Sequence, residues 1–212
     1  MAGETTNRIL EKAGELFMRL GIRSVTMDQI AGELGMSKKT LYQTFNNKAD
    51  IVLEVVKNYL QDQIDHSERI SAQSENAIDQ EIRLLMWAFQ LFQELNTQLI
   101  FEVQKYFPEA WAKFLVFRQG YLRRSVRKNL MRGIQEGLYR PNLDPEIMSY
   151  IRLAQVDISL DSSFFPGENF PIQNIFRELY ELYLRGIVTP EGLVVLEKCL
   201  TQFNQPEYTP DR

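Results

Sequence analysis

Apolar residues recur at helical spacing along nearly the whole chain, and no run alternates with period two long enough to make a strand. That feature restricts the fold to an all-α class. Ile9, Ala13, Leu16, Phe17 and Leu20 open the pattern as one stripe, which Gly21 ends. Thr26 begins a Thr-x-x-Gln capping pattern with Gln29, ahead of a short helix that carries Ile30, Ala31 and Leu34 and stops at Gly35. Ser37 caps a third helix with Leu41 and Phe45 on its buried face, and Asn47 caps a fourth carrying Ile51, Val52, Val55, Val56, Tyr59 and Ile64.

The polar stretch from His66 to Asn76 predicts a fraying helix end followed by a loop. From Ile78 to Phe107 the chain is apolar on most faces, as buried helices are. Pro108 suits the first turn of the next helix, along which Leu122, Val126, Leu130 and Ile134 repeat before Gly137 closes it. Helices follow over about 145–163 and 172–188, separated by the aromatic loop 164–171, and Thr189-Pro190 starts a last one. The count is nine or ten helices, arranged as a three-helix head and a larger helical bundle.

Composition narrows the chemistry. The single cysteine, Cys199, and single histidine, His66, leave no disulfide, no Cys-rich metal site and no His-based dyad. Carboxylates are plentiful but nothing pairs them at a defined spacing, so neither an enzyme nor a metal or cofactor site is expected. The apolar runs fall short of the roughly 20 residues of a membrane span, and the N-terminus lacks a signal-peptide layout. A cytoplasmic protein with no membrane partner is the expectation, and Cys199 reads as a small buried hydrophobe and His66 as solvated. Formal net charge is −4, distributed as +1 over residues 1–50 and −5 over residues 51–212. This permits a DNA-binding head on an acidic body.

Residues 26–48 are the informative segment. Ala31 is small where two helices cross, and Gly35 can take the positive φ of a tight turn. Once Leu34, Met36, Leu41 and Phe45 pack the third helix on the second, Lys38, Lys39, Thr40, Tyr42 and Gln43 remain outside. Ser37–Lys48 holds three lysines and no acid, which suits a helix lying in a major groove. Gln43 matches a bidentate contact to adenine, and Lys39 can reach guanine O6 and N7.

With those residues in view, residues 5–60 resemble the N-terminal domain of the TetR family of bacterial transcriptional regulators. The resemblance is carried by Leu20-Gly21, by Val25 to Ala31, by Gly35-Met36-Ser37, by Thr40-Leu41-Tyr42 with Phe45, and by Asn47 to Ile51. Gly137-Leu138-Tyr139-Arg140 resembles the family's break before its eighth helix. Lys38-Lys39 departs from the basic-then-small pair common there. The resemblance implies that Tyr42 and Lys48 hold phosphates, that Thr26 caps the second helix against the DNA backbone, and that Lys38, Lys39, Thr40 and Gln43 reach bases or neighbouring phosphates. With Ser37 opening the recognition helix, these eight residues are the expected DNA-binding set.

The implied protein is a homodimeric regulator, in the commoner case a repressor, that binds a double-stranded operator under control of a small-molecule effector. Residues 1–48 would be the DNA-binding domain, 49–205 the effector-binding and dimerisation domain, and 206–212 a tail. The alternative is a helical small-molecule-binding dimer that has lost DNA binding. Trp87, Phe89, Phe92, Phe101 and Tyr106, with Trp111, Phe114, Phe117 and Tyr121, form an aromatic centre where the resemblance places the effector pocket. The dimer interface is expected on the helices at 145–163 and 172–188. Its residues would be Ile151, Ile158, Ile172, Phe176 and Leu179, with Tyr180, Tyr183 and Leu184 extending the apolar surface. Arg124, Lys128 and Arg132, three of the seven Lys/Arg that lie between Glu109 and Glu136 with no acid among them, read as a solvated face that pairs with acids elsewhere, Asp157 and Asp161 among the candidates.

Overall fold

The computed structural model describes the backbone of residues 2–94, 97–160, 164–165 and 170–203. Eleven α-helices follow in order: α1 (Ala2–Leu20), α2 (Met27–Glu33), α3 (Lys38–Thr44), α4 (Lys48–Gln73), α5 (Ala77–Glu94), α6 (Thr97–Tyr106), α7 (Pro108–Phe117), α8 (Arg123–Gln135), α9 (Pro145–Leu160), α10 (Ile172–Ile187) and α11 (Pro190–Phe203). The single helix expected from Pro108 to Gly137 is interrupted by a π-helical turn at Arg118–Leu122. Among the described residues, extended backbone pairs only at one antiparallel bridge, Tyr139 with Val188.

The glycine stops are where the sequence places them: Gly21, Gly35 and Gly137 all have positive φ. The caps also form. Thr26 and Ser37 accept from the backbone N–H of Gln29 and Thr40 at 3.2 and 3.1 Å, and Thr189 Oγ1 accepts from Gly192 N–H at 3.0 Å. One element differs. Helix α4 does not fray at His66 but runs to Gln73, because Ser67 and Ile70 are buried while Glu68, Arg69 and Ala72 face solvent. The stretch is polar because only a narrow stripe of it is covered.

Packing divides the chain into two compact units, drawn from residues 1–64 with 95–117 and from 65–94 with 118–212. In the first, Ile9, Leu16 and Phe17 of α1 share one core with Ile30 of α2, Leu41 of α3, Ile51 of α4, Leu99 of α6 and Ala110 of α7. Helices α2 and α3 therefore do not have a core of their own.

In the second unit, α5, α8, α9, α10 and α11 close around Ile78, Leu85, Leu130, Tyr139, Leu184 and Leu196. Here the expected dimer face needs correction. Phe176, Tyr180, Tyr183 and Leu184 are all at most 5% exposed in the single chain, and the Tyr180 hydroxyl donates to the Glu81 carbonyl of α5 at 3.0 Å. An apolar surplus on α10 is absorbed by α5 and α9 rather than left for a partner. On α9, by contrast, large apolar side chains are left outside: Ile147, Tyr150 and Ile151 are 58, 50 and 43% exposed, while Leu153 is buried together with Ser149, Arg152 and Ser159 and Met148 and Val156 pack on the core. Ile158, Ile172 and Leu179 are half-buried.

Gly133 of α8 lies under the buried ring of Tyr139, whose hydroxyl donates to Asn129 Oδ1 at 3.1 Å. A Cβ at Gly133 would sit 2.1 Å from that ring. Gly133→Ala should therefore lower stability by about 1–3 kcal/mol through overpacking, measured by urea unfolding, with Gly32→Ala, where a Cβ meets nothing within 4 Å, as the mild control.

Candidate nucleic-acid interface

The helix-turn-helix is built by local rules. Gly35, at φ +62°, reverses the chain after α2, and Met36 N–H closes the turn on the Ala31 carbonyl at 3.0 Å. Ala31 and Ile30 are buried where α3 crosses, and Leu41 and Phe45 anchor α3 from beneath. The outer face is left to Lys39, Thr40, Tyr42, Gln43 and Thr44, all exposed, Tyr42 with 49% of its surface accessible. The structure brings six of the eight expected residues together on or beside this face: Ser37, Lys38, Lys39, Thr40, Tyr42 and Gln43. Thr26 stands at the head of α2 as its cap.

Two of the lysines are engaged in ways the sequence does not show. Lys38 pairs with Asp28 of α2, so the surface that is acid-free in sequence has an acid beside it in space. Lys48, expected on a phosphate, instead donates to three backbone carbonyls of the α1–α2 turn: Ile22 at 2.9 Å, Arg23 at 3.2 Å and Val25 at 2.8 Å. An ammonium has three N–H donors, and all three have acceptors here. Burial lowers the Lys48 pKa, an effect that the Glu102 carboxylate opposes and Arg23 reinforces.

Glu102 itself was not legible in the sequence. It is a buried acid on α6, 7% exposed, and its carboxylate accepts from Arg23 N–H at 3.1 Å. The Arg23 guanidinium lies 4.7 Å from the centre of the Tyr106 ring. The α1–α2 turn is thus held from α4 by its carbonyls and from α6 by an amide.

The residues of the expected aromatic pocket are drawn from both packing units. Phe101, Tyr106, Trp111, Phe114 and Phe117 belong to the first packing unit; Trp87, Phe89 and Tyr121 belong to the second. Phe101 and Tyr106 are 50 and 41% exposed, because α6 turns Leu99, Glu102 and Val103 inward and these rings outward. Trp111 stacks on Phe114 at 4.9 Å, and Trp87 stacks on His66 at 4.5 Å, so His66 is half-buried against a ring rather than solvated. The side chain of Phe92 lies outside the described residues. An open groove of about 270 Å³ lies elsewhere, edged by Leu85, Leu184 and Leu200 with Arg177, Arg185 and Glu197.

The basic run is spent largely on ion pairs. Arg118 pairs with Asp157, Arg123 and Arg127 with Glu146, and Arg132 with Glu136. Asp161 lies outside the described residues. Cys199 is half-buried.

If Lys48 holds the turn, Lys48→Met should lower the unfolding free energy by about 1–2 kcal/mol, the net value of hydrogen bonds to a charged group that is partly solvated. The slope of log K against log salt for DNA binding should stay at the wild-type value. A slope shallower by about one unit would return Lys48 to the phosphate contacts.

Residues 9–55 match the family described as bacterial regulatory proteins, tetR family. The chain is 25% identical over 199 residues to the HTH-type transcriptional repressor KstR2 of Mycobacterium tuberculosis, covering 91% of this chain and 98% of KstR2. Its fold is similar to that of a transcriptional regulator from Saccharomonospora viridis in complex with choline, with TM-score 0.73 at 20% identity over 88% of this chain and 99% of that one. It is also similar to FadR of Bacillus subtilis in complex with stearoyl-CoA, with TM-score 0.63 at 20% identity over 85 and 98% of the two chains. The helix-turn-helix segment, residues 9–55, is thus of the kind that the tetR family of bacterial regulatory proteins carries.

Proposed function

We propose that the chain is a DNA-binding transcriptional regulator, a repressor, whose hold on its operator is controlled by a small molecule bound in the C-terminal helical part. The observation that carries this reading is α3, a helix anchored by Leu41 and Phe45 that offers Lys39, Thr40, Tyr42 and Gln43 to solvent. Such a face has donors for phosphates and donor–acceptor groups for base edges, and nothing in the unit itself requires it. The full-length similarity to a repressor supports the direction of control. The ligand-bound relatives, with choline and stearoyl-CoA, support effector control. The activity is binding rather than catalysis, and it takes place in the cytoplasm, where the operator is. The division at residue 48 is functional: helices α1 to α3 address DNA, and the remainder carries control and assembly.

Control of this kind needs two states of the protein with different affinities for DNA, and an effector shifts the balance only by its preference for one of them. A homodimer supplies the geometry, with two recognition helices about 34–36 Å apart on successive major grooves. The exposed apolar stripe Ile147, Tyr150, Ile151 and Ala154 on α9 supports that assembly, with Leu182 of α10, 65% exposed, as a second apolar contribution. An outward face that carries three large apolar side chains in solvent makes sense if it is covered.

A gel shift with the promoter region beside the protein's own gene tests the function. Wild type should retard that fragment in preference to scrambled DNA, and Gln43→Ala should cost about 1–3 kcal/mol on the cognate site alone. Retardation of neither fragment would reject the DNA-binding reading and favour a ligand-binding dimer. Ile151→Glu should give a folded monomer by sedimentation that no longer binds the fragment; a dimer at micromolar concentration would move the interface off α9.

A further inference from the structure

The outer surface of the helix-turn-helix includes an acid. Asp28 is the second residue of α2 and Lys38 the first of α3, and their side chains are 58 and 64% exposed. The reversal at Gly35 lets Lys38 reach back along α2, where its Nζ donates to Asp28 Oδ2. The fold does not need this pair. An ion pair between exposed side chains adds little stability, and a cation in the first turn of α3 opposes the dipole of that helix. Asp28 suits the first turn of α2, but with or without a lysine beside it.

For a surface that only attracts phosphates the pair is equally out of place. A carboxylate repels the DNA backbone, and here it also offsets one of the lysines that would attract it. Base edges are different, because they carry donors as well as acceptors. In the major groove the amino group at cytosine N4 donates to a carboxylate, and guanine O6 and N7 accept from a lysine. Within one G·C pair that amino group lies next to guanine O6. An ammonium has three N–H donors, of which Lys38 gives one to Asp28. An acceptor and a donor held side by side are thus complementary to the edge of a G·C pair, and they meet it without giving up their own contact.

We propose that Asp28 is a specificity-determining residue, which with Lys38 reads a single G·C pair of the operator. Asp28 accepts from cytosine N4, and Lys38 donates to guanine O6 and N7. Lys38 is thereby assigned to a base rather than to a phosphate, and α2 contributes to sequence readout beside α3. The proposal rests on the reading of the chain as a DNA-binding regulator, and it adds to that reading a residue and the base pair it selects.

Selection of sites by the full chain from a pool of random DNA duplexes tests this, followed by titration of the selected site with each base pair replaced in turn. Wild type should enrich a site with one G·C pair whose replacement by any other pair costs about tenfold in affinity, and at which the following variants differ. Asp28→Ala should lose the discrimination at that pair and nowhere else. Asp28→Asn should turn the preference there towards A·T, because a side-chain amide accepts from adenine N6 and donates to N7. Lys38→Met should relax the same pair. Circular dichroism establishes folding of the variants, and if Asp28→Ala fails to fold, Asp28→Asn decides. An Asp28→Ala protein that keeps the wild-type preference at every position would overturn the assignment. So would one that loses affinity equally for all duplexes, which leaves Asp28 as a support for α2, or one that gains it equally, which leaves Asp28 as a brake on phosphate attraction. A Lys38→Met protein that relaxes a different pair would also overturn it. In each of these cases wild type still selects a site and the DNA-binding reading stands. Wild type that enriches no sequence rejects that reading and the proposal with it.

Discussion

Three carbonyls of the α1–α2 turn, those of Ile22, Arg23 and Val25, converge on one ammonium group at the first residue of α4. A turn between two helices has no ladder of its own, and carbonyls held near a core need donors from somewhere else. Lys48 supplies them, and Glu102 of α6 takes the Arg23 amide from the other side. This grip positions the start of α2, and through the Gly35 turn it positions α3. The DNA-facing surface is therefore mounted on α4 and α6 by polar contacts at one short turn, over a core that α6 and α7 also share. Any displacement of α6 relative to α4 acts on that turn.

The second unit depends on a different constraint, which is close approach. Tyr139 is buried over Gly133, hydrogen-bonded to Asn129, and placed where the chain leaves α8 to meet Val188. Asn129 in turn donates to the Ala77 carbonyl at 2.9 Å, tying α8 to the start of α5. With those helices fixed, α10 fills the space beside α5 by its aromatic face, and α9 closes the unit with a mixed inner face, on which Leu153 lies beside Ser149, Arg152 and Ser159. Its outer face carries Ile147, Tyr150 and Ile151 in solvent, an apolar stripe that a monomer has no use for.

How much of this was readable in advance follows from the range of the interactions concerned. The caps at Thr26, Ser37 and Thr189 and the reversals at Gly21, Gly35 and Gly137 were all legible, because each is settled among residues no more than about five apart. The same holds for the anchoring of α3 by Leu41 and Phe45, one helical turn from each other. The polar run after His66 misled because a helix covered along a narrow stripe looks, residue by residue, like one that is not covered at all. Tyr180 and Leu184 misled for the converse reason. A helix apolar on several faces says that more than one face is covered, without saying whether a neighbour in the same chain or a second copy covers each.

The sequence by itself therefore determined the all-α class, the helix-turn-helix and the side chains α3 turns outward, since periodicity and turn chemistry are written within a few residues of one another. Only the tertiary structure decided what Lys48 holds, that Lys38 meets Asp28, that Glu102 secures an amide 79 residues away, and that Tyr180 reaches an acid 99 residues away. It also decided that Arg152 of α9 is buried with a donor to spare. Hydrogen bonds and ion pairs between distant segments depend on which helix faces meet. That choice belongs to the packing of the whole unit, and no local pattern encodes it.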